Sequence, residues 1–162
     1  MGQPRMLILA KPPAEVLSQL RAVIAALGID EEAAYLKKKK NWHQSFSNPG
    51  SSHPQVKDIL LQIGNAIHTA DPCSFTLSFD QVHGPQPRNL GDPMHWEFFT
   101  SERPKTFDAA LDIVQQTRGD LGLPREAGHR PHITFSYWAP RPLPRRHFEP
   151  IDWLVDELLL YI

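Results

Sequence analysis

The chain has 162 residues, enough for one domain or for two small lobes sharing a core. An apolar fraction of 41% beside 22% charged residues is that of a folded globular protein, and no run of about 18 apolar residues is present to span a bilayer. The net charge of −1 excludes a bulk polyanion binder, and the single Cys73 excludes an internal disulfide and a cysteine-based zinc site.

Met1 to Lys11 lacks the basic start, long apolar run and cleavage site of a signal peptide, and the single Cys73 fits a reducing cytoplasm, so a cytoplasmic protein is expected. Within that opening, Arg5 to Ala10 forms a short apolar strand, stopped by Pro12 and Pro13. Val16, Leu17, Leu20, Val23, Ile24 and Leu27 follow at helical spacing, with Gly28 as a C-terminal cap. Ile29 to Lys40 is ambiguous and carries the basic run Lys37 to Lys40, which a solvated face would also explain. Asn41 to Ser47 is a predicted strand, and Asn48 to Pro54 a turn cluster.

Val56, Ile59, Leu60, Ile63 and Ile67 mark a second amphipathic helix. Phe75, Leu77 and Phe79 alternate with polar residues, as a half-buried strand does. His83 to Pro93 is a predicted loop, Met94 to Thr100 a strand. Phe107, Ala110, Leu111 and Val114 belong to a third helix ending near Gly119. His132 to Trp138 is a strand, and Pro140 to Pro150, rich in Pro and Arg, a loop. From Ile151 onward the periodicity fits a helix better than a strand. Strands and helices in this order imply a mixed α+β domain.

One pattern occurs twice: His43-Gln44-Ser45-Phe46-Ser47 and His132-Ile133-Thr134-Phe135-Ser136, both His-x-[Ser/Thr]-Phe-Ser. Given the second copy, chance would supply the first in roughly a few cases per thousand. In a strand, alternate residues share a face. His43 with Ser45, and His132 with Thr134, therefore each present an imidazole and a hydroxyl together, while Phe46 and Phe135 point into a core. Such a set suits displacement at phosphorus without a metal. One imidazole takes a proton from the attacking oxygen, the other protonates the leaving oxygen, and the hydroxyls donate to the phosphate oxygens. The bland alternative is two strand histidines satisfied by backbone or water.

The paired motifs resemble those of the two-histidine phosphoesterases, in particular the 2′-5′ RNA ligase-like branch of RNA 2′,3′-cyclic phosphodiesterases. RMLILAKPP resembles that family's opening strand and Pro turn, NWHQSF its first motif, RPHITF its second, and IDWLVDELLLYI its closing strand. That last likeness overrules the helical periodicity, so a strand is expected there. The resemblance implies one bilobal domain over residues 1–162: two antiparallel sheets related by a pseudo-twofold, helices outside and a central cleft. It implies that His43 protonates the departing 3′ oxygen, that His132 activates water, that Ser45 and Thr134 hold the phosphate, and that the product is a 2′-phosphate. The implied partner is an RNA 3′ end or a nucleotide carrying a cyclic phosphate, with no cofactor, no metal and no membrane, acted on by a monomer. The reverse reaction, joining ends through a 2′-5′ linkage, is implied as well.

The chain departs from the family pattern at two positions. Ser45 stands where Thr is usual, and Tyr137 stands three residues after Thr134, where Arg is frequent. Arg130 is the first substitute for that missing cation, with Lys40, Arg141 and Arg145 behind it. Tyr137 is also a candidate for stacking a base, as are Trp42, Trp96 and Trp138. His129 and His132 form His-x-x-His, but in a loop-then-strand setting that does not align them for a metal. The near-neutral charge keeps open a small cyclic nucleotide or ADP-ribose cyclic phosphate as substrate. Ser45 and Tyr137 keep open a module that binds nucleotides without turning them over.

Overall fold

The computed structural model describes residues 7–29, 42–47, 55–71, 74–126 and 128–161. Lys40 and the rest of the lysine run, His53 and the turn cluster before Gln55 lie outside the described residues. In chain order the elements are β1 (Leu7–Ala10), α1 (Ala14–Ala26), β2 (Gln44–Ser47), α2 (Val56–Ala70), β3 (Phe75–Gly84), β4 (Trp96–Thr100), α3 (Lys105–Asp120), β5 (His132–Ser136), β6 (Leu143–Val155) and β7 (Leu159–Tyr161).

The strands form two antiparallel sheets, as expected: three strands in the order β2-β1-β7 and four in the order β5-β4-β3-β6. The helices arise where apolar residues recur every three to four positions. Val16, Leu20 and Ile24 are the buried stripe of α1, and Phe107, Ala110 and Val114 that of α3. One apolar cluster runs from Ile8, Phe46 and Leu60 through Phe75 and Phe107 to Phe98 and Phe135, so both sheets share a core.

The chain end is a strand, as the resemblance implied and against the helical periodicity, but in two pieces. β6 ends at Val155, and after Asp156 to Leu158 the chain enters the other sheet as β7, where Leu160 pairs with Ile8 and Leu159 with Leu9. The segment Pro140 to Pro150, expected to be a loop, is strand from Leu143 onward. β6 is an edge strand of its sheet, where a residue without an N–H removes no ladder bond, and Pro144 and Pro150 are exposed. The loop expected at His83 likewise begins later, because β3 continues through Gly84. Tyr137 and Trp138, expected inside a strand, lie past the end of β5.

Gly84 allows this close packing of β3. A Cβ there would lie 2.3 Å from Cδ1 of Trp96 and 3.0 Å from Cβ of Leu143. Trp96 is fully buried, and its Nε1 donates to the Arg141 carbonyl at 2.8 Å.

Candidate active site

The second motif starts β5, and its alternation is as expected. Ile133 and Phe135 are fully buried in the core, whereas His132 and Thr134 occupy the other face. The strand register extends that face across the sheet. Phe99 lies beside His132 and Glu97 beside Thr134; one strand further, Gln81 lies beside Phe99 and His83 beside Glu97. Arg145 of β6 completes the row: it donates to Gln81 Oε1 and its Nη2 lies 3.2 Å from Nδ1 of His83. Cross-strand neighbours are about 5 Å apart, so these groups form one continuous floor, polar except at Phe99.

The first motif meets this floor through the residues that flank His43. Trp42 and Gln44 are both buried, and both reach the other sheet. Trp42 packs on Phe98 and Phe135, with ring centroids 5.7 and 6.2 Å apart. Oε1 of Gln44 accepts the His132 backbone N–H at 2.7 Å, and its Nε2 donates to the Arg130 carbonyl at 3.0 Å. Further along, Ser47 donates to Glu126 Oε1 at 2.8 Å, in the loop leading to the second motif. Arg118, itself buried, pairs with the same Glu126 oxygen at 3.1 Å and donates to Ser47 Oγ at 3.3 Å and to the Pro124 carbonyl at 2.8 Å. The structure thus brings the segments of His43 and His132 together. Alternation along the chain turns His43 and Ser45, both half-buried, away from the side taken by Trp42, Gln44 and Phe46.

His132 is held in one orientation. Its Nδ1 lies 2.8 Å from the Arg130 carbonyl oxygen, which can only accept, so Nδ1 carries a proton and the neutral ring presents its lone pair at Nε2. The same carbonyl accepts from Gln44, so one residue of the first motif fixes the backbone that orients the histidine of the second.

Glu97 organises the far end of the floor. It is 7% exposed, its Oε2 pairs with Nη2 of Arg130 at 3.2 Å, and its Oε1 accepts from the Thr134 hydroxyl at 3.4 Å. Nδ1 of His95 is 3.6 Å from the same Oε1. Arg130, expected as the substitute cation, lies on this face, with its guanidinium 4.7 Å from the Phe99 ring centroid. Tyr137 meets His95 edge-on at 5.2 Å. Burial, and then the Glu97 carboxylate, push its phenol above the ordinary value, so it remains a hydrogen-bond donor. Burial, then Arg145 and Arg130, push the His83 imidazole below its usual 6.5 against an opposing pull from Glu97, favouring the neutral ring that accepts from Arg145.

Other expectations change. Trp42 and Trp96 are core residues and present no face to a base; Trp138 is well exposed. His129, considered with His132 as a metal pair, places Nε2 2.8 Å from Glu126 Oε2. Among the described residues no group of three or more His, Cys, Asp or Glu side chains could hold a metal ion, and no helix is long and apolar enough to cross a membrane. The sequence reading missed Gln44 and Glu97. The signals were present: a polar residue at the inward position where the second motif has Ile133, and a carboxylate inside the apolar run Met94 to Thr100.

No family model matches the sequence, and no curated protein matches it. Solved structures do match. The apo form of Escherichia coli LigT superposes with a TM-score of 0.72 at 20% identity, over 98% of this chain and 86% of that one. A crystal structure of a phosphoesterase gives 0.68 at 18% identity, over 98% and 87%. The Thermus thermophilus protein TT0787 gives 0.67 at 19% identity, over 96% and 86%. The E. coli protein has also been crystallised with 3′-AMP and with phosphate. The chain carries the same fold as Escherichia coli LigT.

Proposed function

We propose that this chain is a phosphoesterase that opens a 2′,3′-cyclic phosphate at an RNA 3′ end to a 2′-phosphate. The observation that carries this reading is the Gln44 bridge, which joins the residue after His43 to the backbone of His132 itself. It supports two imidazoles at one polar floor rather than on separate surfaces.

Nε2 of His132 takes a proton from a water, whose oxygen forms a new bond to phosphorus. The bond from phosphorus to the 3′ oxygen breaks in line, and His43 gives that oxygen its proton. Ser45 and Thr134 donate to the non-bridging oxygens, and Arg130 supplies positive charge beside Thr134. With a 5′ hydroxyl in place of water as the nucleophile, the same displacement leaves a 2′-5′ linkage. The protonated Nδ1 of His132 favours this assignment of base and acid, because it leaves the opposite ring nitrogen able to accept.

The test is end-group release from an oligonucleotide ending in a 2′,3′-cyclic phosphate, with EDTA present. The wild-type chain is expected to yield a 2′-phosphate at a rate unaffected by the chelator. His43→Ala and His132→Ala are each expected to lose about a hundredfold or more in kcat. Turnover that survives both substitutions together refutes the assignment. Running 2′,3′-cyclic AMP in parallel separates an RNA end from a small cyclic nucleotide, a choice given weight by the 3′-AMP held in the E. coli structure. Tight binding without turnover of either would indicate a binding module.

A further inference from the structure

A phosphate site is ordinarily built from donors and cations, yet the wall beside Thr134 contains a buried carboxylate. Glu97 accepts the Thr134 hydroxyl at 3.4 Å and pairs with Arg130 at 3.2 Å. It therefore absorbs part of the positive charge that Arg130 would otherwise offer, and it receives the proton of a hydroxyl that a phosphate would use. Because the side chain is 9% exposed, solvent screens it little.

We infer that Glu97 is a specificity-determining residue that makes the site favour singly charged phosphodiesters and reject doubly charged phosphomonoesters. The inference rests on the phosphoesterase reading of this floor. A cyclic phosphate is a diester and carries one negative charge. Ring opening creates a monoester, whose second ionisation near pH 6 gives it almost two. Repulsion from a fixed carboxylate grows in proportion to the ligand's charge. A phosphate held by Thr134 would lie about two hydrogen-bond lengths from Glu97, roughly 6 Å, where the extra charge weakens binding by roughly three- to a hundredfold, according to the local dielectric constant. Attraction to Arg130 grows with ligand charge in the same way, so the carboxylate paired with it offsets the preference for a dianion that a lone guanidinium would give. The consequence for turnover is weak inhibition by the enzyme's own product.

The experiment is calorimetric titration of the full chain with adenosine 2′-monophosphate and with its methyl phosphodiester, at about pH 8, well above the second phosphate ionisation. The wild-type protein is expected to bind the diester at least as tightly as the monoester. Glu97→Gln keeps the shape and an acceptor for Thr134, and is expected to tighten the monoester about tenfold more than the diester. Glu97→Asp keeps the charge and is expected to keep the wild-type preference. An unchanged ratio in Glu97→Gln, with both ligands bound, overturns the role of Glu97 and leaves the phosphoesterase reading intact. Binding of neither ligand by any of the proteins overturns both. Should Glu97→Gln fail to fold, the wild-type comparison decides: a monoester bound about tenfold more tightly than its methyl ester overturns the inferred preference for diesters.

Discussion

Gln44 has no proposed contact with substrate, yet it satisfies the His132 amide and the Arg130 carbonyl at once. Gln44→Leu is expected to cost about 1–3 kcal/mol of stability, because a buried N–H loses its acceptor. The same change should lower kcat about tenfold or more while KM moves little, through loss of alignment at His132. Urea unfolding and steady-state kinetics on the one variant separate the two effects. A variant as active as wild type would show that the bridge does not position the histidine. His83 supplies a residue-scale prediction for stability. Its pKa in the folded chain is lowered by burial and by Arg145 and Arg130, so below about 6.5 the unfolded chain takes up a proton that the folded chain resists. The contribution of His83 is fully present above that pH and is lost as pH falls through the lowered value. Unfolding midpoints of wild type should therefore decline with acid more steeply than those of His83→Asn; parallel profiles would contradict the assignment.

At the scale of elements, the floor depends on β3 and β4 packing closely enough to keep Trp96 buried under Arg141. Gly84→Ala places a methyl against an indole that cannot withdraw, and is expected to destabilise the chain by about 2 kcal/mol. Urea unfolding would show this as a lower midpoint at unchanged slope. The three helices were legible from periodicity alone, as were the strands bearing Phe46, Phe79 and Phe135, because each buries one face at the spacing its geometry demands. The terminal strands were harder. Ile151, Trp153 and Val155 alternate correctly, but the interruption before Leu159 shifts the phase as β6 gives way to β7 in the other sheet, and the combined pattern imitates a helix. Pro144 and Pro150 disguised β6 as a loop for a related reason. Local composition does not reveal which strand lies at an edge.

At the scale of the whole molecule, the repeated His-x-[Ser/Thr]-Phe-Ser pattern made two strands of the candidate site legible in the sequence, because strands that bury the same face leave the same spacing. What joins them was not visible. Gln44 reaches His132, Trp42 reaches Phe135, and Ser47 reaches the buried Arg118–Glu126 pair, all across long stretches of chain, and each departs from the repeat or depends on partners outside it. Glu97 escaped for the same reason, since its meaning comes from its strand partner Thr134 rather than from its sequence neighbours. The proposed displacement requires both imidazoles to address one phosphate. NMR of the histidine ring signals during titration with the methyl phosphodiester of adenosine 2′-monophosphate tests that claim most directly. The signals of His43 and His132 are expected to move together along one saturation curve, with His68 and His147 unmoved. Movement of only one of the two, or saturation of the two at different ligand concentrations, would contradict it.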